Sequence, residues 1–267
     1  MFLPASIDLG KSEKYILSIR IKTDGLMFSI HEPESKNYCL RETTFSPGFT
    51  MLENVQRIIF DLNFLTQQFL KTNVVIVSSG YNIIPNNYYD PKEKEKLYNM
   101  VHHEKADHVL SCINEDQQIT TLFKIESGIY EFLSRSLCAP QFYNHTSLII
   151  DLFQNKGKVD IFSKMYIYFH GNMLDIICFK HSKLIHSITH EDETANNQAY
   201  FILKLWEKCG FDQLKDQVLI IGVPENDTIT ILRKYIKIID TVNTPSEVYL
   251  WHEDAQKAPL DLLALSL

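Results

Sequence analysis

The sequence predicts an α/β protein built from two lobes that repeat one βββαβα pattern. Two hairpins of alternating apolar residues lie 148 positions apart (165 − 17). Each hairpin is followed by a third strand, an amphipathic helix and a buried strand, in the same order. The chain has 267 residues, of which 45% are hydrophobic, so it is long enough to form two cores.

The first copy begins with the stretch LSIRIKTDGLMFSI at residues 17–30. Apolar side chains alternate on both sides of Asp24-Gly25, which is the pattern of a β-hairpin. The apolar spacing then predicts a strand, a helix and a buried strand that runs parallel to the first, because a crossover helix precedes it. These three elements are expected at 37–45, 51–70 and 73–78.

The second copy begins at Met165 and repeats the six apolar hairpin positions of the first at a constant offset. A third strand is expected at 183–188. The helix that follows is expected to be capped by Thr194 and ended by Gly210.

The buried strand of the second copy is the stretch VLIIG at 218–222. Placing Val218 at the position of Val74 gives an offset of 144 (218 − 74), so we expect a connection four residues shorter. We interpret the whole pattern as an internal duplication. The alternative is two unrelated hairpins, each followed by a helix and a strand.

A long segment separates the copies and carries its own helices and one hairpin. The stretch Lys156-Gly157-Lys158 is basic and contains glycine, which favours a linker. We therefore expect a first lobe at 1–157 and a second lobe at 158–267. In the intervening segment and the tail we expect helices at 91–103, 128–137, 146–153, 226–236 and 260–265, a hairpin at 109–125 and a strand at 247–251.

Composition narrows the class of protein. The net charge is −7 and no block of Lys and Arg stands out, which argues against nucleic acid as a partner. The five cysteines include no C-x-x-C pair, which is typical of reduced thiols in a cytosol. We see no signal peptide and no apolar run of the ~20 residues that span a bilayer. The sequence thus predicts a cytoplasmic protein that does not bind membranes.

The order of elements is that of the actin-like ATPases, which include sugar kinases, heat-shock chaperones and actin. From about residue 15 to its end, the chain resembles a bacterial family of uncharacterised proteins with an actin-like ATPase fold and no established activity. The resemblance rests on the paired hairpins, on the stretch MYIYFHGNMLDIICFKHSKLIHS and on the helix ETANNQAYFILKLW that leads into VLIIG.

The resemblance implies a ribonuclease H-like architecture in which two hairpin turns face a cleft and hold nucleotide phosphates. An active member has an acidic residue on the first strand, which holds Mg²⁺, and then a glycine that admits phosphate. The candidate residues of this cleft are Arg20, Lys22, Thr23, Asp24, Gly25, His170, Gly171, Asn172 and Gly222.

Neither hairpin keeps the acid and glycine that the resemblance implies. The acid position holds Arg20 in the first copy and Tyr168 in the second. The glycine position holds Lys22 and His170. Arginine cannot be a metal ligand because it does not lose its proton, and tyrosine and histidine suit Mg²⁺ poorly. At the later strand, Gly222 stands alone where nucleotide-binding relatives often have two glycines.

Two interpretations of the first hairpin stay open. Arg20 and Lys22, with His170, could meet a phosphate or an acidic peptide without a metal. Alternatively, Arg20 and Lys22 are solvated residues on one face of a hairpin, and Asp24-Gly25 is plain turn chemistry.

The function predicted from the sequence is a non-catalytic scaffold or interaction module with an unidentified protein partner, and self-assembly into a homo-oligomer is a further hypothesis. The alternative is an ATP-binding or phosphoryl-transfer enzyme with an Arg/Lys-based phosphate site. The sequence contains no serine elbow, Walker loop or Cys–His signature, so we predict no catalytic residue and no metal ligand.

Overall fold

The computed structural model describes residues 3–4, 7–35, 37–154, 161–170, 173–191, 194–222, 227–243 and 245–267. Two compact units make up the chain: Met1–Asp151 together with Thr244–Leu267, and Leu152–Asn243. The predicted boundary at Lys158 lies outside the described residues. The tail was expected in the second lobe, whereas its residues cluster with the first unit.

The described residues form thirteen strands and eight α-helices. The strands are β1 Ile16–Ile21, β2 Gly25–His31, β3 Tyr38–Thr44, β4 Lys71–Ile76, β5 Tyr81–Pro85, β6 His108–Asn114, β7 Ile119–Ile125, β8 Gln141–Asn144, β9 Lys164–His170, β10 Met173–Lys180, β11 Lys183–Glu191, β12 Gln217–Ile221 and β13 Ile238–Thr241. The α-helices are α1 Met51–Asp61, α2 Lys94–Asn99, α3 Ser127–Ser136, α4 His145–Phe153, α5 Ala195–Lys208, α6 Thr228–Leu232, α7 Glu253–Gln256 and α8 Leu260–Ala264.

Each unit contains one five-stranded sheet, and the two sheets have the same topology. The order is β3-β2-β1-β4-β8 in the first unit and β11-β10-β9-β12-β13 in the second. In both, three antiparallel strands are followed by two parallel ones. This is the predicted α/β fold of duplicated βββαβα lobes, which the structure confirms.

The hairpins of the two sheets also share one register. Leu17 pairs with Ile30 in the first, and Met165 pairs with Cys178, 148 residues further on, in the second. The inward residues of both hairpins are buried. A register slip of one residue would turn these apolar side chains to the other face, so burial fixes the pairing.

The predicted offset of the buried strands was wrong by two residues. Ile19 pairs with Val74 on β4, whereas its counterpart Ile167 pairs with Ile220 on β12. The structural offset is therefore 146 (220 − 74), and the connection is two residues shorter instead of four. Aligning Val218 with Val74 kept the correct face, because side chains repeat every second residue along a strand.

Helix boundaries follow local capping. α1 begins at a capping box in which the Thr50 hydroxyl accepts from the Glu53 backbone N–H and Glu53 bonds back to Thr50. The helix expected at 51–70 ends at Asp61, and a 3-10 turn, Asn63–Thr66, leads into β4. Thr194 is the N-cap residue of α5, as predicted, and Gly210 follows the helix with a φ of +65°.

The intervening segment folds as a small three-stranded sheet, and the tail differs from expectation. The sheet has the order β5-β7-β6, and its hairpin was predicted whereas β5 was not. The strand expected at 247–251 was wrong, because Ser246–Leu250 forms a 3-10 helix. The short helix expected at 260–265 is α8.

Both faces of the first sheet are covered. On one face, β1, β2 and β4 pack with side chains of α1 and α3 in the main core of the unit. On the opposite face, Met27 and Val75 of the sheet form a second cluster with Leu148 of α4 and Leu262 of α8. The second unit has one main core, in which α5 and α6 pack on its sheet. Among the described residues, no helix has the length and apolar character needed to cross a bilayer.

The C-terminal segment, residues 245–267, is held on the first sheet by ion pairs and ring stacking. Arg20 Nε lies 2.7 Å from Asp261 Oδ2, and the two side chains are 3% and 0% exposed. Arg41 Nη1 lies 2.9 Å from Asp254 Oδ2. The Trp251 ring stacks on His31, with centroids 4.6 Å apart.

We predict that Arg20→Met destabilises the first unit by about 3–5 kcal/mol, because it leaves the buried Asp261 carboxylate uncompensated. Lys22→Met is the matched control on the same strand end: its ion pair with Glu42 is partly exposed, so the expected loss is at most about 1 kcal/mol. Urea unfolding, followed by hydrogen exchange in peptides of the first unit, measures both. The double variant R20M/D261L should recover much of the loss, and equal losses in the two single variants would contradict this account.

A second prediction concerns pH. Burial lowers the pKa of His31 to about 4, and neither ring nitrogen has a hydrogen-bond partner in the part of the chain that the structure describes. Between about pH 6.5 and about pH 4, His31 is protonated in the unfolded chain but not in the folded chain. The free energy of unfolding therefore decreases as the pH falls through this range. His31→Phe keeps the stacking and removes this titration. The difference in unfolding free energy between the variant and the wild type should therefore grow as the pH is lowered from 6.5 to 4. A constant difference would contradict the prediction.

Candidate functional site

The first hairpin turn is closed by its own residues. The Lys22 backbone N–H donates to the Gly25 carbonyl over 2.9 Å. Lys22 Nζ lies 3.1 Å from Glu42 and 3.5 Å from Asp24. A Cβ at Gly25 would meet the Thr43 carbonyl oxygen at 2.6 Å, so the close approach of β3 requires glycine there. These contacts support turn chemistry for Asp24-Gly25.

The surroundings of Arg20 match neither of the two interpretations of the sequence. It was expected either as a solvated residue or as a phosphate ligand at the cleft. Its side chain lies opposite to Ile19 and Ile21, as expected, but it is buried and its guanidinium pairs with Asp261. The solvated interpretation is therefore wrong. No pattern near Arg20 signals this, because its partner lies 241 residues further along the chain.

A pocket of about 400 Å³ opens beside this turn, at the carboxyl ends of β1 and β4. Thr23 is the predicted residue that lines it, with Ile21, Val77 and Ser78 from the strand ends. The charged side chains of its wall are Glu104, Lys105, Asp107, Lys124 and Glu126. Lys124 and Glu104 pair at 3.2 Å. The pocket can hold a polar molecule, since ligands of α/β sheets bind outside the carboxyl ends of parallel strands.

The second hairpin contains a buried acid that sequence reasoning missed. Asp175 on β10 is fully buried, and its Oδ2 lies 2.7 Å from His170 Nε2. The Thr189 hydroxyl donates to its other carboxylate oxygen. Tyr168, at the acid position, is buried, and its ring centroid lies 4.5 Å from that of His170. A lone acid within the apolar stretch MLDIICF was the available signal.

The remaining candidates of the second unit are glycines and one amide. Gly171 and Asn172 lie outside the described residues. Gly222 follows β12 with a φ of +75°, and a Cβ there would meet the Phe169 carbonyl oxygen at 2.4 Å. Backbone conformation and close packing therefore explain this glycine without a ligand.

A groove of about 840 Å³ runs along α5 in the second unit. Its aromatic wall is formed by Tyr200, Trp206, Phe211 and Tyr235. The indole N–H of Trp206 is buried and has no hydrogen-bond partner among the residues that the structure describes. Of the four aromatic residues, Tyr200 and Tyr235 are exposed, whereas Trp206 and Phe211 are buried.

Solved structures show which fold the chain shares. The crystal structure of a Bacteroides thetaiotaomicron protein with actin-like ATPase fold and unknown function matches 97% of this chain and 98% of that chain, with a TM-score of 0.86 and 25% identity. The PilM–PilN type IV pilus biogenesis complex matches 94% and 97%, with a TM-score of 0.53 and 11% identity. The second likeness concerns the fold alone. Together with the sheet topology, these matches confirm the predicted actin-like ATPase fold.

Sequence comparison gives one family. The family model described as protein of unknown function (DUF3822) matches residues 4–239. No curated protein matches the sequence significantly.

The packing of Gly222 gives a prediction with a matched control. Gly222→Ala combines an unfavourable φ with a backbone clash, whereas Gly210→Ala meets a φ of +65° with nothing within 4 Å. We expect about 1–2 kcal/mol of destabilisation for Gly210→Ala, and clearly more for Gly222→Ala. Denaturant unfolding of both variants measures this. Equal losses of stability would mean that the Phe169 carbonyl moves aside to admit the Cβ. The close packing would then not explain the glycine at 222.

Proposed function

The chain belongs to the family described as protein of unknown function (DUF3822), and from that premise we propose that it is a non-catalytic member of the actin-like fold that acts as a scaffold or interaction module. The proposed partner is a protein, the proposed setting is the cytoplasm, and association with further copies of the chain is part of the same proposal. The main support for the proposal is the residue that this chain has at the position where an active relative holds its metal.

Arg20 occupies that position in the first unit and supports the proposal by its charge and its pairing. A guanidinium repels Mg²⁺ and cannot donate an electron pair to it. Its 2.7 Å contact with the fully buried Asp261 makes the residue part of the packing of the C-terminal segment. With this ion pair in place of the acid, the position stabilises the packing of the C-terminal segment and offers no metal ligand.

The second hairpin supports the same proposal. Tyr168 lies where the resemblance places the second acid, and it is buried against His170. The nearby acid, Asp175, has one carboxylate oxygen on His170 and the other on Thr189. A Mg²⁺ ion prefers several oxygen ligands and bound waters, which this enclosed pair does not offer.

The alternative proposal is an ATP-binding or phosphoryl-transfer enzyme with an Arg/Lys-based phosphate site. Because Arg20 pairs with Asp261, lysines would have to supply that site. The observation in its favour is the pocket beside Thr23, whose wall includes Lys105 and Lys124. Against it, Lys124 pairs with Glu104, and two further acids, Asp107 and Glu126, line the same pocket. Three carboxylates against two ammonium groups disfavour a polyphosphate.

Thermal unfolding with and without Mg-ATP tests the proposal. A ligand that binds only the native state must raise stability, so we expect no concentration-dependent rise in Tm up to millimolar Mg-ATP. We also expect no phosphate release. A saturable rise would favour the alternative. In that case, Lys124→Ala should abolish the rise if the pocket beside Thr23 is the site, whereas Lys96→Ala, an exposed lysine outside the pocket, should not.

A further inference from the structure

The pocket beside Thr23 has an apolar floor at a point where three strands of the first unit end. Ile21 and Ile76 are the last residues of β1 and β4 and pair with each other, and Ile125 is the last residue of β7. The buried side chains of the floor are Ile21, Ile76, Val77, Ile125 and Ile129. This floor can accept an apolar group, because covering apolar surface removes it from water.

The rim of the same pocket carries charges of both signs. Lys124 and Glu104 form an ion pair at 3.2 Å. Lys105, Asp107 and Glu126 also line the pocket, and all three are exposed. A rim that offers both ammonium groups and carboxylates complements a ligand with both charges better than a ligand with one.

The N-terminal end of α3 adds a second positive feature to this rim. Glu126 is the N-cap residue of α3, and its side chain makes no capping hydrogen bond to the described residues. Glu126 and Ile129 both line the pocket, so the first turn of α3 lies at its wall. The backbone N–H groups of a first helical turn carry partial positive charge and favour an anion. A carboxylate is therefore favoured at this end of the pocket.

The size of the pocket favours a small ligand. Its volume of about 400 Å³ is near the lower end of the range for ligand pockets, which is about 300–1,000 Å³. Pockets of this kind combine a mostly apolar lining with a few polar groups that fix the orientation of the ligand. The floor and the rim described above have this composition.

We propose that the pocket beside Thr23 binds a small zwitterion with an apolar side group, of which a free apolar amino acid is the simplest form. The apolar group lies on the floor. The ammonium group contacts Asp107 and Glu126, and the carboxylate contacts Lys105 and the first turn of α3. The proposal goes beyond the scaffold function and does not depend on it, because it concerns a small ligand and not a protein partner.

Calorimetric titration of the full chain with four probes tests the class of ligand. L-leucine has all three features, 3-methylbutylamine lacks the carboxylate, 4-methylpentanoate lacks the ammonium group, and glycine lacks the apolar side group. We expect saturable binding of L-leucine and affinities weaker by about tenfold or more for the other three, since each loses one charged or apolar contact. The absence of saturable L-leucine binding at millimolar concentration would overturn the proposal. So would equal affinity for L-leucine and either singly charged probe.

A pair of neighbouring substitutions tests whether the binding occurs in this pocket. Thr23→Trp places a large ring at the wall of the pocket, and the exposed position of Thr23 allows the variant to fold. Asp24→Trp is the matched control, because Asp24 is also exposed and lies outside the pocket lining. We expect Thr23→Trp to abolish L-leucine binding and Asp24→Trp to preserve it. Equal affinities of the two variants would overturn the assignment to this pocket.

Charge substitutions on the rim test the ammonium contact separately. Asp107 and Glu126 are exposed, so the double variant D107N/E126Q should keep its fold. We expect it to bind L-leucine more weakly by about tenfold or more and to bind 4-methylpentanoate no more weakly than the wild type does. Glu13→Gln removes an exposed acid outside the pocket and should change neither affinity. Equal losses for both probes in the double variant, or a loss in Glu13→Gln, would overturn the proposal.

Discussion

The buried ion pair between Arg20 and Asp261 is the contact on which the arrangement of the first unit depends. A charge in the middle of a sheet face costs several kcal/mol unless an opposite charge meets it. The central strand β1 therefore requires the C-terminal segment, and the segment brings Leu262 onto the sheet with it. This ion pair therefore acts together with the Arg41–Asp254 pair and the stacking of Trp251 on His31 to hold the chain's last helix on its first unit.

The same residue links the fold to the proposed function. The resemblance places a metal-holding acid at the end of the first strand, and this chain has there the buried Arg20, which pairs with Asp261. Lys22 and Gly25, which follow it, are held by contacts within the hairpin and with β3. The contacts of the second hairpin are different, because the Tyr168 ring lies tilted against that of His170, and both carboxylate oxygens of Asp175 have hydrogen-bond partners. Among the described residues, each hairpin keeps the repeated strand pairing and makes contacts within its own unit.

Much of the fold could be predicted because it depends on patterns of apolar and turn residues over short stretches of sequence. Alternation on both sides of Asp24-Gly25 and again from Met165 to Cys178 identified both hairpins, and the constant offset between them identified the shared register. The short strand β5 and the 3-10 turn at Ser246–Leu250 were missed or misassigned, since so few residues show no clear period. The offset of the buried strands was wrong by two, because the apolar runs VVIV at 74–77 and VLII at 218–221 have no alternation that would fix their register.

The sequence by itself determined the repeated sheets, since apolar periodicity and turn residues act over a few neighbouring positions. It also determined that neither turn carries the acid and glycine of a metal–phosphate site. Only the tertiary structure decided what replaces them. Arg20 pairs with Asp261 across 241 residues, and Arg41 pairs with Asp254 across 213. Such pairs depend on which surfaces pack together, and no local pattern in the chain encodes the identity of a distant partner.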